Sequence, residues 1–199
     1  LPEVREMGND EDSMRLPLVD DDVGDSAVRA VFERTIDGSG AVPNLYRQLA
    51  HAPELLEAWI AFAWPLRHAA VTDRGLRELL ILRVAQLQGA DYEWRHHWQM
   101  AIDCGVGPEA LDALARWQQD PEFSPSERAA LRMADELTVD GGLSNTTWSE
   151  LCKHFNERSR VELILTTSFY ACVSRVLKGL LTPLESEYRD LPPVPELPH

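Results

Sequence analysis

The sequence predicts an all-α fold, and three observations carry that prediction. Apolar residues recur at three- and four-residue spacings, as in Leu55, Leu56, Trp59, Ile60, Ala63 and Leu66, which marks one helical face. No segment sustains strand alternation, and no Asn-Gly or Asp-Gly pair joins two β-branched runs. Finally, Asp73 to Leu82 aligns without gaps to Glu157 to Thr166, sharing an acid, an Arg and a Glu-Leu four residues after the Arg. A duplicated helical unit buries its apolar face against its twin or another subunit.

The elements follow in chain order. Residues 1–25 read as a flexible acidic arm, because Asp10-Glu11-Asp12 and Asp20-Asp21-Asp22 are like-charge blocks with little apolar content. Residues 26–188 read as a single domain with half-repeats over about 43–118 and 123–182. Pro53 sits at a first helical turn, where its missing N–H costs nothing. Thr72 is the expected N-cap of the next helix and Gly89 its stop; Gly105 and Gly107 close the following one, and Pro108 opens another. Ser124-Pro125-Ser126-Glu127 starts a helix that ends at Gly141-Gly142. Ser144 or Asn145 caps the next, and the last long helix runs from near Asn156 to about Gly179. Asp37-Gly38 and Asp140-Gly141 read as C-terminal punctuation, for eight or nine helices in all. Residues 189–199, with four prolines, read as an extended tail, either solvated or laid across a neighbouring subunit.

Composition narrows the function. The 199 residues carry 19 Lys and Arg against 33 Asp and Glu, a net charge of −14 that repels a phosphate backbone and argues against nucleic acid. No apolar run approaches the roughly 20 residues of a membrane span, and no basic-then-apolar leader opens the chain. Cys104, Cys152 and Cys172 match no zinc or redox spacing. They read as reduced, buried, small apolar side chains, which sets a cytoplasmic expectation.

The stretch richest in chemistry is Gly89-Ala90-Asp91-Tyr92-Glu93-Trp94-Arg95-His96-His97-Trp98. On a helix, Glu93 and His97 share a face, and a carboxylate beside an imidazole fixes its tautomer and raises its basicity. The bland alternative is a surface pair contributing a few tenths of a kcal/mol. Glu78 falls in the apolar stripe of the preceding helix, where a carboxylate needs a partner or a task. Arg74 or Arg77 qualifies as that partner, and Arg158 with Glu162 repeats the arrangement, so a structural pair is the competing account. The repeat aligns Glu93 and His97 with Leu177 and Leu181, so the polar pair belongs to one half alone. A metal is not expected: Glu93 to His96 is one Glu-x-x-His, and the second that a di-iron bundle requires is missing.

Arg74-x-x-x-Glu78-Leu79-x-Ile81-Leu82-Arg83-Val84-Ala85 followed by Tyr92-Glu93-Trp94-x-x-His97 resembles the carboxymuconolactone decarboxylase family, relatives of alkylhydroperoxidase D. The likeness extends over about residues 40–188, through Asn44-Leu45-Tyr46 and the region from Trp148 to Tyr170. It implies an alkylhydroperoxidase D-like helical bundle with internal duplication, assembled as a dimer, trimer or hexamer. The peroxidase branch carries Cys-x-x-Cys-x-x-x-His; here the histidine falls on His97 and the cysteines on Ala90 and Glu93, so both redox sulfurs are missing. The decarboxylase branch implies cofactor-free loss of CO2 from a small unsaturated lactone acid. His97 would donate or relay the proton, with Glu93 and Glu78 orienting it. Arg83 or Arg95 would hold the substrate acid, and Tyr92, Trp94, His96 and Trp98 would wall the pocket. Another lyase, an isomerase, a hydratase, an alkylhydroperoxidase-like oxidoreductase and a non-catalytic oligomeric binding protein are the alternatives on this scaffold.

Overall fold

The computed structural model describes residues 14–22 and 24–197. Among them there is no strand, and nine α-helices follow in order: α1 (Ser26–Ser39), α2 (Asn44–Leu49), α3 (Pro53–His68), α4 (Arg74–Gln88), α5 (Asp91–Asp103), α6 (Pro108–Ala113), α7 (Pro125–Val139), α8 (Asn145–His154) and α9 (Glu157–Leu180).

Side-chain caps set most of the starts. Ser124 and Glu127 form a complete capping box on α7, Ser144 caps α8, and Asn156 caps α9. Asp73, rather than Thr72, caps α4 through its bond from Leu76 N–H. Thr72 is drawn off by Glu162, which accepts from its backbone N–H at 2.9 Å. At the ends, Gly89 takes the left-handed conformation (φ 58°) that lets α4 reverse at once into α5. Asp37-Gly38 does not end α1. The helix runs on to Ser39, and Gly40 at φ 82° supplies the left-handed cap.

Helix α4 is buried on every side from Gly75 to Gln86 and packs against α5, α7 and α9. It joins two cores. Leu79, Leu80 and Leu82 meet Trp94, Leu114, Leu131, Met133 and Leu163 on one side. Ile81 and Val84 meet Phe32, Leu45, Leu56, Tyr170 and Leu177 on the other. Helix α9 is long and apolar enough to cross a membrane by length and composition, a feature that scanning for uninterrupted apolar runs does not reveal. Here it is a core helix, burying Leu163, Tyr170, Val173 and Leu177 in the bundle.

Both ends of the described chain fold back onto the helices. The block at Asp10-Glu11-Asp12 lies outside the described residues. Beyond it, Arg15 donates to the Gly179 carbonyl, Gln48 to the Leu16 carbonyl, and Arg47 pairs with Asp21, so residues 15–21 lie tied along the bundle. At the other end Arg95 donates to the carbonyls of Arg189 and Leu191, and Val194 N–H donates to Asp91. The Pro-rich segment therefore lies across its own α5. The three cysteines are exposed, which corrects the expectation that they fill the core.

Candidate active site

The tight turn at Gly89 sets α4 and α5 side by side and turns Glu78 toward His97. Three groups that water would normally solvate meet there almost fully buried: Glu78 is 0%, His97 3% and Glu93 4% exposed. His97 Nδ1 donates to Glu78 Oε2 at 2.5 Å, and Nε2 lies 2.9 Å from Glu93 Oε1. Arg74, one turn before Glu78, pairs with its other oxygen. Ionised carboxylates accept and do not donate, so two of them on the two ring nitrogens call for an imidazolium with both N–H groups present. Burial alone pulls the His97 value down. Attraction to Glu78 and the bonds to Glu78 and Glu93 outweigh it and hold the imidazole above its usual value. Burial pushes Glu78 up, but His97, Arg74 and Arg67 together bring it below the ordinary carboxylate range.

Glu93 and His97 open onto a small chamber of about 60 Å³, shared with Tyr46, Arg67, Tyr92 and Tyr170. The Tyr170 ring stands edge-on to His97 at 5.0 Å, and burial pushes its hydroxyl up to about 12, which keeps it a neutral donor. Pro43, Tyr46, Arg67 and His96 also line a second, larger cleft of about 480 Å³. The site is thus an inner chamber opening beside an outer one.

The substrate contacts expected from sequence divide. Tyr92 and His96 line the inner chamber. Both are also held by Glu185, which accepts from the Tyr92 hydroxyl at 2.7 Å and meets His96 Nε2 at 2.7 Å. Arg83 does not reach the site: its guanidinium is paired with Asp135 at 2.6 Å and bonded to Gln86. Arg95 is spent on Asp91 and the C-terminal carbonyls. Trp94 is a core residue with 1% exposure, and Trp98 packs against it at 5.7 Å between ring centroids. Among the described residues no cluster of three His, Cys, Asp or Glu side chains is arranged to hold a metal.

Sequence reasoning missed Arg67, Tyr46, Tyr170 and Glu185. Arg67 lies on the last turn of α3, near Pro65, and lines the chamber that Arg83 and Arg95 do not reach. Tyr46 and Tyr170 both lie in the region of the resemblance and each carried the same signal, a polar-tipped aromatic on a buried helical face.

Residues 53–136 match the carboxymuconolactone decarboxylase family. Through this segment, less than half of its length, the chain is similar to that family. The matched stretch runs from α3 through most of α7 and holds Arg67, Glu78, Glu93 and His97. Among curated relatives, the uncharacterized protein YdfG of Bacillus subtilis (strain 168) is 26% identical over 95 residues, 47% of this chain. This chain spans 65% of that relative's length. Among solved structures, a peroxidase-related protein from Silicibacter sp. TM1040 matches with a TM-score of 0.76 at 20% identity, covering 89% of this chain and 94% of that one. An alkylhydroperoxidase AhpD core protein from Ralstonia eutropha JMP134 gives 0.76 at 20% identity, covering 88% and 94%. A variant of the debrominase Bmp8, solved in complex with 2,3,4-tribromopyrrole, gives 0.72 at 19% identity, covering 82% and 88%. These likenesses show the fold, an alkylhydroperoxidase D-like bundle. Within the matched stretch, Glu93 stands where the resemblance puts the second cysteine of the peroxidase branch.

Proposed function

We propose that the protein is a cofactor-free acid/base enzyme, a carboxy-lyase acting on a small carboxylated unsaturated carbonyl or lactone. The observation that carries this reading is the buried imidazole of His97, held at both nitrogens by carboxylates beside a chamber that also receives Arg67. A buried, doubly anchored imidazole is a stored proton in fixed geometry. In the proposed reaction the bond from carbon to the carboxylate breaks and CO2 leaves. Its electron pair passes into the conjugated carbonyl as an enolate. A proton from the His97–Glu93 pair then adds to carbon, and solvent restores that proton. Arg67 offsets the negative charge as it moves from carboxylate to enolate oxygen.

Because Glu93 occupies Nε2 and faces the chamber, it is the group through which the proton reaches substrate, beyond the orienting role expected from sequence. Glu78 acts from behind, as a positioning residue. The exposed Leu55, Phe62, Val161 and Leu165 on α3 and α9 support self-association, in line with the homo-oligomer expected from sequence.

CO2 release from a panel of small unsaturated lactone acids tests the reading. Removing a general acid/base typically costs roughly 10²–10⁴-fold in rate. His97→Gln should therefore lower kcat at least about 10²-fold with the helical circular dichroism intact. A variant that turns over at the native rate would sink the assignment.

A further inference from the structure

The inner chamber, about 60 Å³, has room for about two waters at their liquid share of roughly 30 Å³ each. A lactone acid is several times larger, so the chamber admits the reacting fragment and leaves the rest outside. A second cleft adjoins the chamber, sharing the wall formed by Pro43, Tyr46, Arg67 and His96. The outer cleft, about 480 Å³, falls in the range of sites that enclose whole small ligands, and it meets the inner chamber at Tyr46, Arg67 and His96.

The junction is cationic and in want of an anion. Among the described residues the Arg67 guanidinium makes no ion pair; Nη2 reaches the Met100 thioether at 3.8 Å. Glu78 and Glu93 act on it through space, but both are engaged with His97. A guanidinium drawn away from water without a bonded counter-ion favours an anionic ligand, and its planar fork suits a carboxylate.

Beyond the junction the cleft is mixed: Val42, Trp64 and Tyr188 give it an apolar, aromatic wall, while Arg74, Asp103, Glu185 and Glu187 line the rest. Tyr188 comes from the C-terminal segment, outside the stretch that matches the family. It is fixed there by stacking on His96 at 3.8 Å between ring centroids, and Glu185 pins the same segment to Tyr92, His96 and the Asn44 N–H.

We infer that the outer cleft is a tail subsite: the ligand sets an anionic group on Arg67 at the junction and lays an apolar, aryl-sized tail against Trp64 and Tyr188. The fragment that enters the inner chamber rests on the acid/base reading above; the anion and tail positions stand on the cleft itself.

The test is calorimetric titration of the full chain with butyrate, 4-phenylbutyrate and 4-phenyl-1-butanol. Phenylbutyrate should bind at least about tenfold more tightly than butyrate, since burying a phenyl tail is worth more than the roughly 1.4 kcal/mol of a tenfold change. It should also bind at least about tenfold more tightly than the uncharged alcohol. Tyr188→Ala and Trp64→Ala should each shrink the gain from the phenyl group and leave butyrate unchanged, while Tyr188→Phe keeps it. Arg67→Gln should abolish the preference for acid over alcohol; if that variant does not fold, the acid–alcohol comparison on the native chain decides. Equal affinities for butyrate and phenylbutyrate, or for acid and alcohol, would overturn the subsite. His97→Gln should retain the phenyl gain, so a failed tail subsite and a failed acid/base reading give different results.

Discussion

The two halves of the molecule carry the same Arg-Glu pair and use it differently. On α9, the exposed Arg158 meets Glu162, itself 9% exposed, at 2.9 Å. Glu162 there accepts from the N–H groups of Val71 and Thr72 and fastens the segment that leads into α4. On α4, Arg74 meets Glu78 one turn later in the same register, but the carboxylate is fully buried and turned to His97. The difference lies in the chain downstream of each pair. After α4 the chain reverses at Gly89 into a helix bearing Glu93 and His97. On and just past α9 the aligned positions are Leu177, in the core, and Leu181, where the helix stops in a left-handed turn at φ 52°. One half keeps the pair as a clasp, and the other has a second helix that converts it into the floor of a site.

The largest expected contrast is in rate. His97→Gln should cost at least about 10²-fold in kcat, and Glu162→Gln should leave kcat within about twofold, because it touches neither chamber. A large kcat loss in Glu162→Gln would break the comparison. Stability should separate the halves next. Glu78→Gln strips a buried cation pair of its anion and should cost about 3–5 kcal/mol. Glu162→Gln keeps an acceptor for the Val71 and Thr72 N–H groups and leaves only the exposed Arg158 without its anion, so it should cost about 1 kcal/mol. Urea midpoints of the two variants measure this, and equal losses would mean that Glu78 is no more than a second clasp.

A smaller effect lies in the pH dependence of stability. His97 stands above its ordinary value of 6.5 in the folded protein, so its charge favours folding. That contribution is complete below pH 6.5 and fades as the pH rises through the folded value. Glu78 and Glu162 stand below the ordinary 4.5, Glu162 at about 2. Their contributions are complete above pH 4.5 and disappear as the pH falls through the folded values. The alkaline loss should vanish in His97→Gln, and part of the acid loss should vanish in Glu162→Gln. The smallest effect concerns sulfur. Replacing Cys104, Cys152 and Cys172 together by Ser should leave turnover unchanged, and a loss would reopen thiol chemistry.

The sequence was most informative where the signal is local. Pro53, Ser124, Ser144 and Asn156 announce helix starts through their own backbone chemistry, and the structure uses each of them. Glu93 and His97 were legible because four residues on a helix are one turn apart, and Glu78 because a carboxylate in an apolar stripe demands a partner. Arg67 and Glu185 come from segments whose packing against α5 no periodicity encodes. For the same reason Arg83 and Arg95 were misplaced: a helical wheel shows which way an arginine points but not that Asp135 or a C-terminal carbonyl will meet it.

The central claim is a buried imidazolium clamped between Glu78 and Glu93, and it can be read without any substrate. Nuclear magnetic resonance of the His97 ring carbons and nitrogens across pH, assigned by comparison with His97→Gln, reports its protonation directly. The account predicts two protonated ring nitrogens at neutral pH and a titration above 6.5. A neutral single tautomer at pH 7, titrating at or below 6.5, would contradict it.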